Sequence, residues 1–260
     1  AWVRIPVLFE NNQDTAIYMD YGNASITSPT ANPNGVWDSN YVGVWHLNES
    51  GTGAVGEYKD STYHTNHGTD PGVPARELAK IAGGQHLDGI NDGIVTNEDS
   101  ELNITGVVTL EAWVQLHSSY PADCVGGTAA GIVGKGWQYL LYHDCAASQR
   151  VSFTLDTPTT AYAYTSVPQL NTWYHIVGAY DGSAARIYLN GSLAYTDTKS
   201  GSLNVDPIAV SIGWLESTFD GRVDEVRISN TARNACWIET SYNNQNAPTT
   251  FITTVGSEIA

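Results

Sequence analysis

A chain of 260 residues with 11 Lys+Arg against 27 Asp+Glu carries a formal net charge of −16, a field that repels nucleic-acid phosphates and anionic lipid surfaces and attracts divalent cations. Nucleic acid is therefore excluded as an expected partner. No apolar run approaches the roughly 18 residues that cross a bilayer, so membrane insertion through a helix is excluded as well. The chain opens on Ala1 without a Met and enters strand-like sequence at once, as expected of an excised part of a longer polypeptide.

Short runs with period-two alternation or β-branched and aromatic enrichment recur along the chain, each closed by Gly, Asn, Asp or Pro. The first is IYMDYG (17–22). Residues 28–40, SPTANPNGVWDSN, are Pro- and Asn-rich without periodicity and read as a linker. Strands are then expected at YVGVWHL (41–47), VVTLEAWVQL (107–116), WQYLLYH (137–143), RVSFTLD (150–156), WYHIVGAYD (173–181), ARIYLNG (185–191), AVSIGW (209–214) and VDEVRIS (223–229). In RIYLNGSLAYTD the Asn190-Gly191 pair between two apolar runs marks a tight hairpin. In 173–181 both faces are mainly apolar, so an outer face is expected to be covered by a loop or a partner. Residues 231–244, TARNACWIETSYNN, place Ala235, Ile238 and Tyr242 near one face and fit a helical turn or two. This rhythm is that of an all-β antiparallel β-sandwich. The expected organisation is an N-terminal strand arm and linker over 1–40, one sandwich over 41–247 and a C-terminal tail over 248–260.

Cys124 and Cys145 flank a segment with an apolar, aromatic second half (132–143), which fits a cross-hairpin disulfide in an oxidising compartment. The alternatives are two free buried thiols, or metal ligation with His143 or His117. Cys236 is left over and expected to be buried. Sequons begin at Asn23, Asn48, Asn103 and Asn190, consistent with an exterior location. His64 and His67 have neither a third ligand nor a helix to face them and read as loop residues.

The loop LDGINDG supplies Asp88, Asn91 and Asp92 with two glycines, hard oxygen ligands on a tightly turning backbone, which suits Ca²⁺. The alternative is that Asp88 and Asp220 cap turns. Ile90 at the third position and flanking strands exclude an EF-hand. Eight Trp and fifteen Tyr exceed the evident needs of the core. Aromatic faces stack on sugar rings, which points to glycan. The candidates least like core residues are Trp137, Tyr120, Tyr162, Tyr164 and Trp214, whereas Trp45, Trp113 and Trp173 sit inside apolar strand patterns and are expected in the core.

Five segments resemble the laminin G-like, concanavalin A-like jelly rolls of many secreted bacterial and archaeal proteins. They are VGVWHLNESGTG with KDSTYHTNHGT (42–53, 59–69), HLDGINDGIVT (86–96), VTLEAWVQL (108–116), TWYHIVGAYDGSAARIYLNGSLA (172–194) and FDGRVDEVRISNTARNACWI (219–238). Residues 2–23 resemble the end of an uncharacterised module that often precedes such domains. The resemblance implies a concanavalin A-like jelly roll and a structural calcium ion to which Asp60 and Asp224 contribute alongside the Asp88 loop. Related hydrolases carry Glu-x-Asp-x-x-Glu on one strand; that pattern is missing, Glu111 stands alone, and adjacent Asp224 and Glu225 are expected on opposite faces. The expected function is a noncatalytic, lectin-like carbohydrate-binding module of a secreted or cell-surface protein, with polysaccharide as partner and Ca²⁺ as structural ion. A protein-adhesion or structural surface domain is one alternative, and an unrecognised polysaccharide-degrading enzyme is the other.

Overall fold

Alternation of period two sends every second side chain to the same face, and in this chain it builds two facing antiparallel sheets. The computed structural model describes residues 2–5, 15, 17, 18, 23–70, 72–119, 129–144 and 149–251. Among them the strands are β1 (Tyr41–Trp45), β2 (Gly68–Thr69), β3 (Ala75–Leu78), β4 (Gly83–Asp88) and β5 (Ile94–Thr96). Next come β6 (Val108–Leu116), β7 (Ala129–Lys135), β8 (Tyr139–Asp144), β9 (Arg150–Leu155) and β10 (Ala161–Ser166). The last are β11 (Trp173–Tyr180), β12 (Ala185–Leu189), β13 (Ser192–Asp197), β14 (Ser211–Ile212) and β15 (Asp220–Ser229). Among the described residues three α-helices accompany them, α1 (Pro33–Val36) inside the linker, α2 (Ala235–Asn246) and α3 (Pro248–Phe251), with one 3-10 turn at Ser100–Leu102.

One sheet has eight strands in the order β13-β12-β11-β6-β15-β4-β3, with β1 also on β15; the other has seven, in the order β10-β9-β8-β7-β14-β5-β2. The core lies between them. Tyr174, Ile176 and Tyr180 of β11 enter it from the first sheet, and Tyr139, Leu141 and Phe153 from the second. The β12–β13 hairpin turns at Asn190 and Gly191, with φ of 50° and 80°, the left-handed pair that a two-residue turn of this type requires.

The outer face of the eight-stranded sheet is covered by α2 of the same chain, where a loop or a partner was expected. Ile238 packs on Val177, Ala179 and Tyr188, and Asn234 caps the helix by accepting from the Trp237 amide at 2.9 Å. Three further expectations need correction. Cys236 is exposed in the first turn of α2, because the helix turns its Ile238 face inward. Trp45 and Trp113 are buried as expected, but Trp173 at the start of β11 is only half-buried. Asp224 and Glu225 do not oppose each other: the register of β15 shifts between Asp224 and Arg227, and Glu225 takes φ 51°, a bulge that turns it toward Arg227. Ile17 and Tyr18 lie in no strand, and the rest of residues 17–22 lies outside the described residues, as does 252–260.

Candidate functional site

The outer face of the seven-stranded sheet has no described helix upon it. In β8, Tyr139 and Leu141 point to the core, so Leu140, Tyr142 and Asp144 point out. In β9, Val151, Phe153 and Leu155 point in, leaving Arg150, Ser152 and Thr154 outside. In β10, Ala161 and Ala163 point in, which sends Tyr162 and Tyr164 outward. Register then sets these residues in rows across the strands: Gly131, Tyr142, Ser152 and Tyr164 form one, and Ala129, Asp144, Arg150 and Ser166 the next.

The row of aromatics is continued at both ends. Tyr164 stacks on Tyr195 of β13, with ring centroids 4.8 Å apart and planes 27° apart; at the other end Trp137 meets Tyr142 edge-on at 6.0 Å. Trp137, Tyr164 and Tyr195 are 39%, 38% and 40% exposed, unlike a core residue. Residues 214–216 form a wall beside Trp137. Their close approach depends on Gly131, where a Cβ would fall 2.8 Å from the Trp214 carbonyl oxygen and 3.1 Å from Leu215 Cβ. Leu215 packs with Ala129, Leu140 and Tyr142, and Glu216 Oε1 accepts from the Trp137 indole Nε1 at 3.3 Å.

The floor is polar and internally bonded. Asp144 Oδ2 accepts from Arg150 Nε at 2.9 Å, Ser152 Oγ at 2.7 Å and Tyr162 Oη at 2.5 Å. The Arg150 guanidinium lies 5.6 Å and 5.1 Å from the Tyr162 and Tyr164 ring centroids. Burial, then the neighbouring Asp144, pushes the Tyr142 phenol well above its ordinary range. The face thus combines flat apolar rings with neutral hydroxyls and an immobilised ion pair, and can stack on one side of a ligand while exchanging hydrogen bonds with its edge.

Of the sequence-based ligand candidates, Trp137, Tyr162 and Tyr164 meet on this face. Trp214 belongs to the wall by its backbone, but its exposed side chain leaves with its Cβ against Gly93 at the head of β5. Tyr120, Cys124 and Cys145 lie outside the described residues. Sequence reading missed Tyr142, Tyr195, Asp144, Arg150 and Glu216. The parity of β8 around Tyr139 and Leu141 could have found Tyr142, but no local signal ties Glu216 to Trp137.

Among the described residues no three or more His, Cys, Asp or Glu are grouped to hold a metal; of the predicted calcium ligands, Asp88, Asn91 and Asp92 share one loop, where the Asp88 amide donates to Asp92 Oδ2 at 3.1 Å. Asp60 is already filled by donors, accepting from the Val44, Thr62 and Asn66 amides at 2.9 Å each and from Thr62 Oγ1 at 2.8 Å. Asp224 is fully buried on β15, where Oδ2 accepts from the Ile81 amide at 2.7 Å and Oδ1 has no hydrogen-bond partner. Burial, then Glu225, pushes its carboxyl up to about 8. Asp88 Oδ1 accepts from the Ile90 and Asn91 amides, the turn-capping alternative. Oxygens do converge beside Gly72. A Cβ there would lie 2.8 Å from the Asn91 carbonyl oxygen and 3.0 Å from both Asp70 Oδ1 and Asp92 Oδ1. Burial raises the pKa of both of these carboxyls. His64 and His67 serve the loop, with His67 Nδ1 accepting from the Asp60 amide at 3.0 Å.

Comparison with known proteins places this geometry. No curated protein matches the chain. Among solved structures, the binding domain of Paraclostridial Mosquitocidal Protein 1 superposes with a TM-score of 0.62 at 13% identity, over 79% of this chain and 52% of that one. The binding domain of botulinum neurotoxin DC in complex with rat synaptotagmin II gives 0.60 at 11%, over 80% and 52%. This chain therefore spans about half the length of those toxin binding domains. Domain 4 of AbnA, an extracellular GH43 arabinanase from Geobacillus stearothermophilus, solved with arabinotriose, gives 0.59 at 16%, over 77% of this chain and 97% of that one. Residues 88–239 match the family Laminin_G_3, more than half of the chain. The chain is a member of the concanavalin A-like lectin/glucanases superfamily.

Proposed function

We propose that the chain is a noncatalytic carbohydrate-binding module that holds a secreted or surface-displayed protein on a polysaccharide, with the outer face of the seven-stranded sheet as its binding groove. The observation that carries this reading is the line Trp137, Tyr142, Tyr164 and Tyr195, exposed at both ends, above a floor whose polar groups are already oriented. The arabinotriose-bound arabinanase domain of the same fold, nearly all of which is matched by this chain, supports it. The Asp144 carboxylate is engaged by three donors, which suits an anchor better than an attacking group or proton donor. Affinity electrophoresis on a panel of polysaccharides tests the reading. Tyr164→Ala and Trp137→Ala are each expected to weaken the best ligand about tenfold, the equivalent of ~1.4 kcal/mol. Full affinity in both variants would refute it.

Calcium belongs to this reading at the Gly72 convergence, where Asp70, Asp92 and the Asn91 carbonyl offer hard oxygens. Chelation is expected to lower the melting temperature, and added Ca²⁺ to restore it in the wild type but not in Asp92→Asn. An identical melt with and without chelator removes the ion from the proposal.

A protein-adhesion role is favoured by a different feature. Val55, Val73, Ile90 and Trp214 are all exposed, and Val73, Asn91 and Trp214 lie against Gly53, Gly72 and Gly93 of adjoining loops. Pull-down of a protein partner that is lost in Ile90→Asp, with glycan binding intact, would support that second reading.

A further inference from the structure

We propose that the Trp137 end of the groove is an ammonium subsite, so that the polysaccharide it selects carries free amino groups. This rests on the groove being the sugar-binding face. Trp137 is bracketed by two carboxylates: Glu216 Oε1 accepts from its indole Nε1, and Asp206 Oδ2 accepts from its backbone amide, each at 3.3 Å. Gly136 brings Asp206 so near that a Cβ at that position would sit on Oδ2. Glu216 is exposed and Asp206 half-buried. The Trp137 side chain is itself among the exposed aromatics. An aromatic face flanked by carboxylates attracts an ammonium group twice over, through the ring quadrupole within about 6 Å and through the opposite charges.

The cations tied to the groove leave the charge of the exposed Glu216 uncancelled, although Lys135 offsets part of that of Asp206. Arg150 is paired with Asp144 at 2.8 Å. The Lys135 ammonium is fully buried and donates to the Ile208 carbonyl. With a chain charge of −16 behind it, the groove disfavours uronate or sulfated polymers, tolerates neutral ones and attracts amino sugars. An acetylated amine keeps the ring for stacking but loses the charge. The subsite therefore distinguishes a deacetylated polymer from its acetylated parent.

Titration calorimetry with glucosamine and N-acetylglucosamine oligosaccharides of equal length, at a pH where the free amine is protonated, tests this. At low salt the amine form is expected to bind about tenfold tighter, and high salt is expected to narrow the gap. Glu216→Gln is expected to cost the amine form about threefold more than it costs the acetylated form, and Glu216→Gln with Asp206→Asn to widen that difference. Thermal melts establish that both variants are folded, and the single exposed change stands alone if the double variant is not. Equal or tighter binding of the acetylated form overturns the subsite and leaves the sugar-binding groove standing. No binding of any saccharide, neutral polysaccharides included, overturns both. A lysine-rich peptide that displaces the amine oligosaccharide at lower concentration overturns the assignment to sugar.

Discussion

Glu111 and Asp224 are both buried carboxyls on the outer face of the eight-stranded sheet, and their surroundings drive them in opposite directions. Glu111 Oε1 is 2.9 Å from His175 Nε2 and accepts from Arg227 Nη1 at 3.0 Å, Ser241 Oγ at 2.8 Å and Gln245 Nε2 at 3.2 Å. Burial alone would raise its pKa; Arg227, His175 and Ser241 outweigh that and hold it well below the usual carboxylate range. Glu111→Ala leaves the Arg227 charge short of a partner, and is expected to cost about 3–5 kcal/mol in urea denaturation. A loss under about 1 kcal/mol would show that the cluster is energetically neutral. Asp224 has an orphaned oxygen and a carboxylate neighbour, and its carboxyl is pushed up to about 8 from 3.8. The folded state then holds a proton that the unfolded chain has released, so its contribution to stability is lost as pH rises from about 4 to about 8. Asp224→Asn is expected to melt several degrees above the wild type at about pH 9, with the difference shrinking on acidification. A wild type that melts higher at that pH would mean that a cation neutralises Asp224 after all.

Helix α2 shows what the chain reveals locally and what it conceals. Ile238 is the one large apolar side chain it buries fully, so Ile238→Ala is expected to cost about 2–4 kcal/mol and Asn234→Ala about 1 kcal/mol, both read from denaturant midpoints. Its sequence suggested only a turn or two. The reason is physical: Ser241 and Gln245 face the sheet and bond to Glu111, so polar residues occupy positions where apolar periodicity is sought. The strands were readable because alternation suffices to define a half-buried sheet, and the Asn190-Gly191 turn because few other pairs adopt its backbone. The bulge at Glu225 was hidden, since it follows from His46 and Arg227 pulling the side chain to one face. The groove was readable in part. Tyr162 and Tyr164 stand out in an edge strand, but their relation to Trp137 depends on the register of β8, β9 and β10, and that of Glu216 on a loop 79 residues away in sequence.

Across the whole molecule, Asp224 and His143 act against each other as pH changes. Burial pushes the His143 imidazole down to about 4 from 6.5, so the unfolded chain takes up protons first and stability from this group is lost as pH falls from about 6.5 to about 4. Together the two predict a level stability between about pH 4 and 6.5 and a decline from about 6.5 to 8. A scan of melting temperature in Asp224→Asn should lose the decline and slope downward on the acid side instead; a profile identical to the wild type would rule out this pairing. The two outer faces also differ in what covers them. On one, α2 packs on the sheet, and Trp2 and Trp37 lie 4.5 Å and 5.1 Å from the Arg227 guanidinium; on the other lies the groove. Trp2, beside Arg227, therefore sits with α2 on the face turned away from the aromatic row. A sensor surface coupled through an exposed residue of α2 would leave that row facing the flow, like a tile fixed by its back, and an undiminished saccharide response is the expected reading.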